Sequence, residues 1–315
     1  MLLPDTEGFL HSNLISDGGD SPDDKTAFQP IMVETNHQSM TMHWTKRFLV
    51  SWLLSQALWL AGQAQTKNEP QTQQNELNQQ LFPGAKLSAQ YRFAFPYPFQ
   101  EYKIPITHQL KLSGLLFKAK APKGVILYLH GSNNALDVWG KLAPTYTQLH
   151  YDVLMLDYRG YGKSRGKITT EAGLHHDMQT AYDYLKRMYA EKQIIILGHS
   201  MGTGLAARLA AKNHPKQLIL QTPYYSVADW VHHLVPDFDT THIRYKLPTY
   251  QFVKQTTSPI LLIHGDADQA IYPGSSLKLK AYLKPTDQVI ILKGEGHTEL
   301  VKNKAYLNAL RSLFR

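Results

Sequence analysis

The chain has 315 residues, 43% of them hydrophobic and 18% charged, an ordinary globular composition that excludes a wholly disordered or fibrous protein and leaves room for one large α/β domain plus an N-terminal extension. It contains no cysteine, which excludes a disulfide framework, a thiolate metal site and a Cys nucleophile. The formal charge is +8, divided between residues 1–64, with three basic against seven acidic side chains, and residues 65–315, with 30 against 18.

A basic body of this kind favours anionic lipids or other anionic partners, and with them membrane-surface association. No Lys/Arg cluster is interleaved with aromatics and no helix-turn-helix or finger spacing occurs, so nucleic acid is not expected. The 15 histidines show no pair at metal-ligand spacing on a helix face, and the adjacent His175 and His176 point in different directions, so no metal is expected.

Residues 1–39 are polar and Asp-rich, including the run Ser16–Asp24. Next come Lys46 and Arg47, the apolar stretch Phe48–Leu60, and then small Gly62 and Ala64. A charged start, a short apolar core and small residues describe a secretory signal peptide over 40–64, cleaved after Ala64. The core is shorter than the ~20 residues that span a bilayer, and an uncleaved inner-membrane anchor through 48–60 is the alternative. Because a signal peptide begins near its basic residues, Met40 or Met42 is expected as the true start and 1–39 as disordered. Export to a bacterial periplasm follows as an expectation. Residues 65–86, rich in Gln, Asn and Glu, read as a solvated linker.

From residue 87 onward the pattern changes. Tyr91–Phe95, Glu101–Ile106 and Leu110–Phe117 predict an antiparallel beginning to a sheet. Short continuous apolar runs follow at Val125–Leu129, Val153–Leu156, Ile194–Leu197, Leu218–Leu220, Ile260–Ile263 and Val289–Leu292, as expected of strands buried on both faces. Between them, Leu174, Met178, Ala181, Leu185 and Met188 make one apolar helical stripe, and further helices are predicted over Leu136–Leu149, Gly202–Lys212, Ser275–Leu283 and Lys302–Phe314. Such alternation implies a mainly parallel sheet covered by helices on both faces, with ligands at the carboxyl ends of the strands.

The chemistry-bearing residues stand at those ends. Gly198-His199-Ser200-Met201-Gly202 follows a strand and opens a helix, the context in which a serine is presented on a sharp turn above a helix N-terminus. His264-Gly265-Asp266-Ala267-Asp268 ends the run at Ile260, and Lys293-Gly294-Glu295-Gly296-His297 ends the run at Val289, where the two glycines give a mobile loop. Serine, then acid, then histidine is the required order. Asp268 is the expected partner of His297, with Asp266 as the alternative and otherwise a turn residue. His130-Gly131-Ser132 follows the first parallel strand, where a backbone N–H can serve an oxyanion; this nominates Ser132 beside Met201, with His130 bracing the loop.

Together with the turn Asp157-Tyr158-Arg159-Gly160-Tyr161-Gly162-Lys163-Ser164, these motifs resemble the α/β-hydrolase superfamily, and within it the Bem46-like and serine-aminopeptidase-like (monoglyceride-lipase-like) hydrolases. The resemblance covers residues 87–315. It implies an α/β-hydrolase fold with a mostly parallel, eight-stranded type of sheet, a nucleophile, acid and base at Ser200, Asp268 and His297, oxyanion donors at Ser132 and Met201, and no cofactor. The chain departs from the Bem46-like pattern in carrying Ser132-Asn133-Asn134 in place of an Asn-Ala/Gly loop. The resemblance also places a short cap insertion at about 224–258, where Tyr224, Trp230 and Tyr245 either line an acyl site or glue the cap to the domain. No acidic pair suited to a substrate's N-terminal amine appears there, so a small-molecule or lipid-like ester (or thioester or amide) is expected, with a serine peptidase or a non-catalytic scaffold as alternatives. The oligomeric state has no signal in the sequence.

Overall fold

A computed structural model describes residues 81–241 and 243–314. The expectations for the start at 1–39, for the signal or anchor at 40–64 and for most of the linker lie outside the described residues. Among the described residues no helix is long and apolar enough to cross a membrane.

Eight strands form one sheet: β1 (Phe99–Pro105), β2 (Lys111–Phe117), β3 (Gly124–Leu129), β4 (Tyr151–Leu156), β5 (Ile194–His199), β6 (Gln217–Gln221), β7 (Ile260–Gly265) and β8 (Gln288–Leu292). Their order is β1-β2-β4-β3-β5-β6-β7-β8. β1 and β2 are antiparallel, β2 joins β4 antiparallel, and all later pairings are parallel. The main helices are α1 (Glu171–Lys186), α2 (Gly202–Lys212), α3 (Val227–Leu234), α4 (Thr249–Gln255), α5 (Gly274–Lys280) and α6 (Lys304–Leu313).

The continuous apolar runs have a direct physical cause. Successive side chains of a strand point to opposite faces, and from β3 to β7 both faces are covered; the run Val289–Leu292 is the exception, because β8 is the edge strand of the sheet and its Ile291 is exposed. Val125, Leu127 and Leu129 join a core with Leu174, Met178 and Leu185 of α1 and Leu205 of α2. Their neighbours Ile126 and Tyr128 join the opposite core with Tyr146 and with Tyr306 and Leu310 of α6. α1 is capped by the Thr170 side chain, which accepts from the Gly173 N–H.

Several expectations are corrected. Tyr91–Phe95 forms no strand; Phe93 and Phe95 instead pack on Phe99, and Phe95 packs on Phe117, so the alternation reflects an aromatic cluster without ladder hydrogen bonds. Leu136–Leu149 is three successive helical turns, Leu136–Trp139, Gly140–Leu142 and Pro144–Thr147. Pro144 has no N–H to give the Gly140 carbonyl, which accepts from the Ala143 N–H and the Tyr97 hydroxyl instead. Met188 lies beyond the end of α1 and is 40% exposed, so it is not part of the stripe. Leu81, read as linker, is buried in the core, and Phe82 packs edge-on to Tyr245.

Leu127 is fully buried in β3, between β4 and β5. Leu127→Ala is therefore expected to lower the unfolding free energy by about 2–5 kcal/mol, measured by urea denaturation.

Candidate active site

The turn between β5 and α2 is set by close approach. A Cβ at Gly198 would lie 2.5 Å from the Gly202 carbonyl oxygen and 2.7 Å from Thr203 Cα, and one at Gly202 would strike the Leu129 carbonyl and lie 2.8 Å from that of His130. With both approaches closed, the intervening Ser200 takes φ +52, a left-handed conformation that few non-glycine residues adopt. Its N–H donates to the Gln221 carbonyl of β6 at 2.9 Å, and its own carbonyl receives the Thr203 N–H at 2.9 Å.

His297 reaches Ser200 from the loop after β8. Its Nε2 lies 2.9 Å from Ser200 Oγ and its Nδ1 lies 2.8 Å from Asp268 Oδ2. Asp268, at the end of β7, is the carboxylate within reach of this ring. Asp266 instead accepts the Gly294 N–H at 2.6 Å and braces the histidine loop. Gly294 is required by its φ of +74, whereas a Cβ at Gly296 would meet nothing within 4 Å.

Asp268 is 5% exposed and richly held. Oδ1 accepts the Ala270 and Ile271 N–H groups at 2.8 and 2.9 Å. Oδ2 also faces Nε2 of the buried His264 at 3.1 Å. That Nε2 faces the Ile271 carbonyl as well, at 2.9 Å, so it must carry the proton, and in the neutral ring Nδ1 accepts from Ser276 Oγ at 2.6 Å. Burial alone would raise the Asp268 pKa, but hydrogen bonds from His264 and His297 overrule it and hold the carboxyl well below the usual range. The sequence reading gave His264 no role; its one signal was a histidine ending an otherwise apolar buried strand.

Two neighbouring histidines are kept neutral. Burial, assisted by the nearby His297, pushes His199 down to about 3, and burial pushes His130 down to about 4. His130 Nδ1 donates to the Gly131 carbonyl at 2.7 Å, which braces the loop. That loop runs beside Ser200, since a Cβ at Gly131 would lie 3.5 Å from Ser200 Cβ. Ser132 is therefore on the adjoining segment, and Met201 is the first residue after Ser200.

The cap residues fall into two groups. Tyr224 and Tyr245 are buried, with hydroxyls on the Met201 carbonyl at 3.1 Å and the Ile168 carbonyl at 3.2 Å, so both attach the cap to the domain. Trp230 is half-buried and its Nε1 donates to the Ala270 carbonyl at 2.8 Å. A cavity of about 690 Å³ lined by Glu171, His175, Arg208 and Lys212 includes none of Ser200, Asp268 and His297. Among the described residues no group of three or more His, Asp or Glu is arranged to hold a metal ion.

Chemically, the arrangement allows His297 to take a proton from Ser200 while Asp268 fixes the ring and stabilises its charge.

Comparison with known proteins agrees with this architecture. The family model described as serine aminopeptidase, S33, matches residues 120–248, a span that includes Ser132, Ser200 and Met201 and ends before Asp268. Alpha/beta hydrolase domain-containing protein 17B of Homo sapiens is 30% identical over 195 residues, 60% of this chain and 65% of that protein. The 17C protein of Mus musculus is 28% identical over 204 residues, 63% and 62% of the two chains. The chain thus spans less than two thirds of the length of these relatives. Among solved structures, Est1E of Butyrivibrio proteoclasticus with bound ferulic acid has a TM-score of 0.55 at 20% identity, covering 67% of this chain and 97% of that one. The esterase Pf2001 of Pyrococcus furiosus has 0.56 at 18%, covering 74% and 95%.

The held carboxylate makes a pH prediction. A group whose folded pKa is depressed contributes stability above its unfolded pKa, about 3.9 for Asp, and loses it as pH falls through the folded value. The difference in unfolding free energy between the parent and Asp268→Asn should therefore be full at neutral pH and shrink as pH drops below about 4, as read by urea titrations at both ends of that range.

Proposed function

We propose that this chain is a member of the α/β-hydrolase superfamily, as its family match, its relatives and its fold support, and a serine hydrolase cleaving carboxylic esters or thioesters through an acyl-enzyme on Ser200. The observation that carries this reading is the unbroken series Ser200 Oγ, His297 Nε2 and Nδ1, and Asp268 Oδ2, at 2.9 and 2.8 Å, on a serine held at φ +52.

Ser200 attacks the carbonyl as His297 takes its proton, and the Met201 and Ser132 N–H groups receive the oxyanion. The tetrahedral intermediate collapses, and His297 returns the proton to the departing alcohol or thiol. Water, deprotonated by the same histidine, then releases the acid from Ser200. Nothing in this cycle calls for a cofactor.

Ester chemistry is favoured over peptide chemistry by the cap. Asp229 is the only acidic residue on α3 and α4, and the Tyr272 hydroxyl and Lys278 already engage it. No free carboxylate on those helices awaits an amine. The serine-aminopeptidase description of the matched family keeps a peptidase as the second reading. The proposal extends to export, with cleavage after Ala64, supported by the basic-apolar-small order of Lys46 to Ala64; Edman or mass analysis of protein purified from its native cell should find Gln65 first. A start at or before Met42 would instead indicate a retained anchor.

The full chain should hydrolyse 4-nitrophenyl esters, and Ser200→Ala should lower kcat by at least ~10⁴-fold. Equal turnover by the two proteins on esters and on aminoacyl nitroanilides would sink the assignment and leave a scaffold role.

A further inference from the structure

The turn Asp157–Ser164 was legible as a family motif, yet no residue in it touches Ser200, His297 or Asp268 through a described hydrogen bond. Three of its side chains, those of Asp157, Tyr158 and Tyr161, reach the segment His130–Leu136 instead. Tyr158 Oη donates to the His130 carbonyl at 2.8 Å, and Tyr161 Oη donates to the Ser132 carbonyl at 2.8 Å. Asp157 Oδ1 accepts the Leu136 N–H at 3.1 Å, where the segment ends. Two further side chains complete the set: His130 Nδ1 on the Gly131 carbonyl and Trp139 Nε1 on the Asn133 carbonyl, at 2.7 and 2.8 Å. Four consecutive carbonyls, from 130 to 133, are thereby pinned by side chains.

We propose that this turn is the mould of the oxyanion loop, and that Tyr158 and Tyr161 are positioning residues that act through the backbone N–H of Ser132. The inference rests on the serine-hydrolase reading above. Its physical basis is the planar trans peptide, in which C=O and N–H point in opposite directions. The Ser132 N–H shares its plane with the Gly131 carbonyl, which His130 Nδ1 holds; Tyr158 and Tyr161 hold the carbonyls of the planes on either side, so the middle plane cannot turn against its neighbours and the Ser132 N–H keeps its aim. The segment forms no regular helix or strand between β3 and Leu136, so without these pins its planes could rotate. A donor stabilises developing charge most when it is already aimed and need not reorganise.

The mould itself is rigid. Ser164 Oγ donates to the Asp157 carbonyl and accepts the Ser113 N–H of β2, each at 2.7 Å. Arg159 forks onto Asp177 of α1. Gly160 and Gly162 have φ of +79 and +45, and a Cβ at Gly162 would strike the Asp157 carboxylate. The Tyr158 and Tyr161 side chains are buried and meet edge to face at 5.5 Å.

A merely structural reading holds that these hydroxyls satisfy buried carbonyls and do nothing more. The test compares full-chain parent, Tyr161→Phe, Trp139→Phe and the control Tyr182→Phe, whose hydroxyl bonds Glu191 away from the loop. The readouts are kcat and KM on 4-nitrophenyl acetate, inhibition by phenylboronic acid, which adds to the nucleophilic serine as a tetrahedral anion, and Tm. Tyr161→Phe should lower kcat about tenfold, less than the 10²–10³ expected for losing a donor outright. KM should stay within twofold, and the boronate inhibition constant should rise by the same factor as kcat falls. Trp139→Phe should move in the same direction, and Tyr182→Phe should change Tm alone. Unchanged kcat and boronate inhibition in Tyr161→Phe, with a lowered Tm, overturn the proposal; if that variant does not fold, Trp139→Phe decides by the same criterion. Parent-like turnover in Ser200→Ala overturns the underlying serine reading separately.

Discussion

The arrangement of the site depends on one close approach: the first residue of α2 sits against the last residues of β3. Only a glycine at 202 allows it, because any Cβ would strike the Leu129 carbonyl. Once α2 begins that close to β3, the chain leaving β5 must reverse within one residue, and Ser200 takes φ +52. A non-glycine residue in that region costs of order 1–3 kcal/mol. The surrounding sheet, buried on both faces, holds the turn in place. The same contact sets the Gly131 segment beside the serine, so Ser200 and the proposed oxyanion loop are placed by a single packing event and not by two.

Charge in the site follows from that compactness. Asp268 stays ionised because two histidines and two backbone N–H groups satisfy it, despite burial that works the other way. His199, whose ring centre is 5.3 Å from that of His297, stays neutral because it is buried. The His297 ring thus lies between the Asp268 carboxylate on one side and the His199 ring on the other. His264 adds a second anchor to the carboxylate, and Ser276 fixes the His264 ring in turn, so the acid is oriented by a chain of partners that ends in α5.

The parts legible in the sequence were those governed by local rules. Continuous apolar runs marked β3 to β7, which are buried on both faces, and misjudged only β8, which lies at the edge; glycine on each side of Ser200 marked the turn. The order of Asp268 and His297 at later strand ends completed the candidate triad. What could not be read depended on partners distant in sequence. His264 looked like one more buried residue until Asp268 and Ser276 came within reach of its two nitrogens. Phe93 and Phe95 alternate as strand residues do, yet their partners are aromatic rings of β1 and β2. Leu81 and Phe82 stand beside a polar segment, and only the core they join distinguishes them from it. The Tyr161 contact to Ser132 spans 29 positions and has no local signature.

The cap is attached through backbone groups of the site itself. Tyr224 holds the Met201 carbonyl, and Trp230 holds the Ala270 carbonyl two residues beyond Asp268. Glu171 of α1 accepts the N–H groups of Lys246 and Leu247, fixing the cap's return segment to the domain. In a peptide group the carbonyl cannot turn without the N–H of the next residue, so a side chain that grips the Met201 carbonyl also limits the plane that joins Met201 to Gly202 at the start of α2. Tyr224, Trp230 and Tyr245, for which the sequence left an acyl-site wall and a fastening of the cap equally open, have hydroxyl and indole groups that fasten the cap. A change at Tyr224 therefore reaches the residue next to Ser200 directly, through the Met201 carbonyl, so the cap and the turn beneath it cannot vary independently.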